Sequence, residues 1–102
     1  MINLDSRSVR LMIEARREQI ERFGHTPEAD LRCTPAFLPK QAQRYLTHAI
    51  EDLHFDPAGP EGRKRAIRHL AQSAALIMAA IDRLDAEDMP APITATAEGD
   101  PL

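Results

Sequence analysis

The 102-residue chain carries 13 basic and 16 acidic side chains, a formal charge of −3, and 43% hydrophobic but only 4% aromatic residues. That length holds one domain, and the near balance of charge argues against the overall basicity on which counterion-releasing nucleic-acid binders depend, leaving room for a local basic patch. The lone cysteine, Cys33, excludes an intrachain disulfide and suits a reducing compartment.

The first segment, Met1 to Arg7, lacks the apolar stretch of a secretory signal. The longest apolar run, Ala74 to Ile81, has eight residues, against the about 20 needed to cross a bilayer. A cytoplasmic protein without a membrane partner is the expectation.

A first helix is predicted to start at Asp5 or Ser6, whose side chains accept the free amides of a first turn. It ends at Phe23, because Gly24 supplies the left-handed residue favoured just beyond a helix. Val9, Met12, Ile13, Arg16, Ile20 and Phe23 mark its inner side, with the Arg16 stem packed and its head reaching out. Thr26-Pro27-Glu28 opens a short second helix. Thr34-Pro35 and Leu38-Pro39 are read as further backbone resets, so the third helix is expected from Pro39 to about His54. Asp56 to Pro60 is a Pro-rich connector, and the last helix is predicted over roughly Glu61 to Ala86. Beyond it lies a tail too poor in apolar residues to fold alone. The expectation is an all-α fold: three main helices and one short one forming a single bundle over 1–88, with an irregular tail over 89–102.

The last helix is the most informative element. Ile67, Leu70, Ala74, Ile77, Ile81 and Leu84 keep the alternating three- and four-residue spacing of a helix packed on partner helices. Ala71, Ala75 and Ala79 form a second, small-residue stripe, with Leu76 and Met78 covering most of what remains. A helix so widely apolar in so short a chain must be covered from several sides. Ile67, Leu70, Ala71, Ala74, Ala75, Ile77, Met78, Ile81 and Leu84 are therefore the predicted self-association residues.

Its ends are charged against the helix dipole. Arg63, Lys64, Arg65, Arg68 and His69 stand at the start, and Asp82, Asp85, Glu87 and Asp88 at the end. The basic group is a candidate anion site for a phosphate or carboxylate. A plainer reading pairs these bases with acids of a neighbouring helix, or with the acidic end of an antiparallel second copy.

Glu14, Glu18 and Glu21 line one strip of the first helix, with Glu51 and Asp52 on the third as counterparts. Facing carboxylates of this kind can hold Mg²⁺, as in the all-α nucleotide pyrophosphohydrolases. Here Glu51-x-x-His54 ends in His where that family has Asp, and Glu18 is well placed to pair with Arg22. His48 and Asp52 share a face at i,i+4, a weak transition-metal pattern. Ser73, inside the apolar run, is expected to bond back to a carbonyl of its own helix. No phosphate loop, Cys-pair metal motif or Gly-x-Ser-x-Gly elbow occurs.

Two segments carry a resemblance: Arg16-x-x-Gln19-Ile20-x-x-x-Gly24-His25-Thr26-Pro27-Glu28-x-Asp30, and Ala75-Leu76-Ile77-x-Ala79-x-Ile81-x-Arg83-Leu84. Together they resemble a family of small all-α phage and prophage proteins with no established activity. The resemblance covers about two thirds of the chain; its first motif is the specific one. Members often have Glu at the positions of Ala15 and Ala80, and acidic and His residues where this chain has Leu31, Arg32 and Cys33. That departure points away from metal chemistry. The expected function is thus a non-enzymatic helical interaction module of mobile-element origin. It would bind itself and a host or phage protein as inhibitor or adaptor, needing no cofactor and no nucleic acid. The alternatives are a Mg²⁺-dependent pyrophosphohydrolase using Glu14, Glu18, Glu21, Glu51 and Asp52, or an oligomeric sponge for a phosphorylated nucleotide.

Overall fold

The computed structural model describes residues 6–55 and 59–88, and these form four helices with no strand. They are α1 (Arg7–Phe23), α2 (Pro27–Leu31), α3 (Phe37–Phe55) and α4 (Pro60–Asp88). The predicted tail, the alternative Asp5 cap and connector residues 56–58 lie outside the described residues.

Local chemistry sets the first two helices. The Ser6 hydroxyl accepts the Val9 amide at 3.5 Å, and Gly24 sits at φ 71° just past the end of α1. The αL conformation there costs a glycine nothing, and the Gly24 and His25 amides both reach the Gln19 carbonyl. Thr26 caps α2 in the same manner, accepting the Ala29 amide at 3.1 Å, with Pro27 at the first helical position.

The third helix departs from the expected start. Pro39 does not reset the backbone; α3 begins two residues earlier, at Phe37, and Pro39 lies in its first turn. The missing N–H is harmless there, since first-turn amides have no intrahelical acceptor. Leu38, the residue a following proline disfavours in a helix, is 0% exposed, and its burial outweighs that local restriction. At the other end α4 runs two residues beyond the predicted Ala86.

Helix α4 is the axis of the molecule. It packs antiparallel on α3 along most of its length, meets α1 on another flank, and touches α2 near its C-terminal end. The interior is built of small side chains. Leu38, Ala42, Leu76, Ala79 and Ala80 form one cluster with Tyr45 against it, and Ala15, Ala49, Ala66 and Ala75 fill the other contacts. Alanines at these crossings let the helix backbones approach closely, so the packing is tight but the buried apolar volume is small. The Ser73 hydroxyl does not bond to its own helix: it donates across to the Ala42 carbonyl of α3 at 2.7 Å. The close α3–α4 approach brings that carbonyl within reach.

Candidate functional site

Three surfaces collect the residues that carry chemistry, and α4 contributes to all of them. On one side of the α3–α4 hairpin, Asp52 receives Arg65 Nε at 3.3 Å and lies 2.8 Å from His69 Nδ1. Tyr45 and His48 complete the cluster, their rings centred 6.1 and 5.4 Å from that of His69. Partial burial pushes the Asp52 carboxyl up. The hydrogen bonds and positive charge of His69 and Arg65 outweigh it and hold the group below the usual carboxylate range. His48 turns to Glu51, 3.4 Å away, rather than to Asp52.

On the α1–α4 flank an open groove of about 460 Å³ is lined by Arg7, Glu14, Glu18, Lys64 and Arg68 over a floor that includes Leu11 and Ala71. Glu18 receives both Arg22, at 3.1 Å, and the Gln72 amide, at 3.0 Å. Beneath it Gln19 donates to the backbone and side-chain oxygens of Gln72 at 3.1 and 2.8 Å.

These contacts divide the two polar candidate sets. Arg65 and His69 neutralise Asp52; Lys64 lies 3.7 Å from Glu61 and, with Arg68, edges the groove; Arg63 is exposed elsewhere on α4. Five bases adjacent in sequence thus point around the helix rather than at one anion. The carboxylates divide likewise: Glu14 and Glu18 line the α1 groove, Glu21 on the same strip borders a second groove, Glu51 holds His48, and Asp52 is taken by bases. Among the described residues no three His, Cys, Asp or Glu side chains converge as a metal site. Arg16 also departs from its expected outward course. Its guanidinium turns in to the Asp30 carboxylate and the His25 carbonyl, each at 3.0 Å, because the chain reversal at Gly24 sets both acceptors beside it.

The third surface is apolar. Ile67, Leu70, Ile77, Met78, Ile81 and Leu84 are each between 37% and 56% exposed, and Ala74 between them is half-buried. At about 3.6 residues per turn they occupy one arc of α4 about 120° wide, facing away from the interior. Ala75 and Ala79 of the small-residue stripe are instead buried by the chain itself, and Ala71 is half-buried over the groove. Ala75, at 0% exposure, is therefore closed to a second subunit. Leu46, Ile50 and Leu53, spaced i, i+4, i+7 on α3, are exposed as well. Helical phase places them beside Leu70 and Ile77, on the side of the hairpin opposite the Asp52 cluster. The helical spacing of Leu46, Ile50 and Leu53 is legible in the sequence; that this part of the pattern faces outward, while Ala42 and Ala49 are buried, is not.

No protein-family model, curated protein or solved structure matches the chain.

Proposed function

We propose that the chain is a helical interaction module that self-associates through the outer face of α4 and the adjoining stripe of α3. The observation that carries this reading is the inversion of large and small side chains. Among the described residues, seven alanines and two leucines make up the buried apolar set, while fourteen large hydrophobics are exposed by 36% or more. Six of those fourteen share the single arc of α4. Scattered exposed leucines need no explanation, but a contiguous apolar face along a two-helix hairpin marks an association surface. The same face suits the burial that a chain of this length needs for stability. The resemblance to small phage and prophage proteins supports a mobile-element origin. On that footing the assembled module works in a reducing cytoplasm as an inhibitor or adaptor of a host or phage protein.

Asp52 is engaged by Arg65 and His69, and Glu18 by Arg22 and Gln72, which favours a structural over a catalytic role for these carboxylates. Sedimentation tests the reading. Wild type is expected as a dimer or larger oligomer at micromolar concentration. Ile77→Asp, half-exposed in the subunit, should keep its helical circular dichroism yet associate about 100-fold more weakly, because it places an unpaired carboxylate in the seam. A wild type that is monomeric up to hundreds of micromolar removes the proposal.

A further inference from the structure

The outward arc of α4 has an internal symmetry that specifies how a second copy meets it. Counting from Ala74, Ile67 and Ile81 lie seven residues to either side, Leu70 and Met78 four, and Ala71 and Ile77 three. Eleven residues away on either side stand Arg63 and Asp85, exposed residues of opposite charge at the two ends of the same face. A two-fold axis through Ala74 relates these pairs across two antiparallel helices, with Leu84, the last residue of the arc, set against Lys64.

From this we infer that α4 packs against α4 of a second copy, antiparallel and centred on Ala74, with Arg63 of each copy facing Asp85 of the other. This deepens the self-association reading and rests on it. In that register each Ile67 meets an Ile81, and each Leu70 meets the Ile77–Met78 pair. The smallest side chain of the arc falls at the crossing point, where the backbones come closest. A parallel arrangement would set Arg63 on Arg63 and Asp85 on Asp85, which is repulsive at both ends. The interface is isologous and closed, so it stops at two chains.

The register also accounts for the polarity of charge along α4. Within one subunit, bases at the helix start and acids at its end oppose the macrodipole. Beside an antiparallel copy, each basic start lies against the acidic, dipole-negative end of its neighbour. The unfavourable arrangement within one helix becomes favourable across the pair. The α3 stripe of Leu46, Ile50 and Leu53 flanks the seam and widens the buried face.

Cysteine scanning and charge exchange test the arrangement in the full chain, with Cys33→Ser removing the native thiol. Ala74→Cys should oxidise quantitatively to a disulfide-linked dimer, because a residue on the two-fold meets its own copy within bonding reach. Arg63→Asp and Asp85→Arg should each weaken association about tenfold at low salt, and an equimolar mixture of the two variants should regain wild-type affinity as a heterodimer. Parallel packing, already like-charged at both ends, predicts no loss from either single variant and a mixture tighter than wild type. All three positions are exposed or half-buried, so the variants keep the subunit fold, checked by helical circular dichroism. A wild-type dimer whose Ala74→Cys form stays unlinked, or whose single charge variants associate as tightly as wild type, overturns the antiparallel register and leaves self-association standing. A monomeric wild type overturns both.

Discussion

Asp52 shows how a single residue can change meaning between sequence and structure. On the sequence it stands beside Glu51 as half of a carboxylate pair; in the fold it is the acceptor for two bases one helix away. Its carboxyl is held below the ordinary range, so it binds fewer protons when folded than when unfolded in mild acid. Its contribution to stability is therefore fully present above about pH 5 and fades as pH falls through about 4 and below, once the carboxyl protonates in both states. Replacing Asp52 with Asn should lower the thermal midpoint at pH 7. The gap to wild type should narrow steadily between about pH 5 and pH 2.5 in calorimetric scans. A gap independent of pH would show that the pairing with His69 and Arg65 adds nothing electrostatic. Residue roles of this kind were poorly legible in advance. The caps Ser6, Gly24 and Thr26 could be read because their partners lie within six residues. The acceptors of Ser73 and Arg83 lie 31 and more residues away, and nothing local announces them.

At the scale of the element, α2 is the instructive case. Five residues cannot hold a helix by their own hydrogen bonds, and the Thr26 cap adds about 1 kcal/mol at most. Tertiary anchors hold it. Arg16 of α1 grips the Asp30 carboxylate, and Arg83 of α4 donates to the backbone carbonyls of Asp30 and Cys33. Asp30 is 2% exposed, and Arg16 is its ion-pair partner at 3.0 Å. Much of the Arg16–Asp30 sequence motif thus has a structural use: Arg16, Gln19, Gly24, Thr26 and Asp30 build this corner. Asp30→Ala should destabilise the fold by on the order of 3 kcal/mol, because it strands a largely buried guanidinium. The paired change Arg16→Met with Asp30→Leu should recover a substantial part of that loss in urea unfolding. A single substitution costing less than about 0.5 kcal/mol would show that the ion pair is solvated and idle. Helix α4 marks the limit of legibility at this scale. Its apolar residues cover most of its circumference, so periodicity established a helix needing several neighbours but not which arc faces α1 and α3. Shape decided that: close crossings with two helices admit Ala75 and Ala79, and leave the isoleucines outside.

For the whole molecule, the proposed self-association makes stability and assembly one quantity. A subunit whose interior is mainly alanine gains little from burial per residue, since Ala removes far less apolar surface from water than Leu or Ile. On the proposed assembly, the large side chains of the α4 arc contribute fully only when a second subunit covers them, which couples folding free energy to protein concentration by mass action. Wild type should unfold with a midpoint that rises about 3 °C for each tenfold increase in concentration, the scale expected when about 1.4 kcal/mol is spread over two such chains. The Ile77→Asp variant should unfold at a lower, concentration-independent midpoint, because its subunits no longer share the outer face of α4. Added salt separates the two contributions. It should lower the wild-type midpoint modestly by screening Arg63 and Asp85, whereas the concentration slope, which reflects apolar burial, should persist in 1 M salt. A slope that vanished with salt would mean that charge, not the isoleucine arc, holds the copies together.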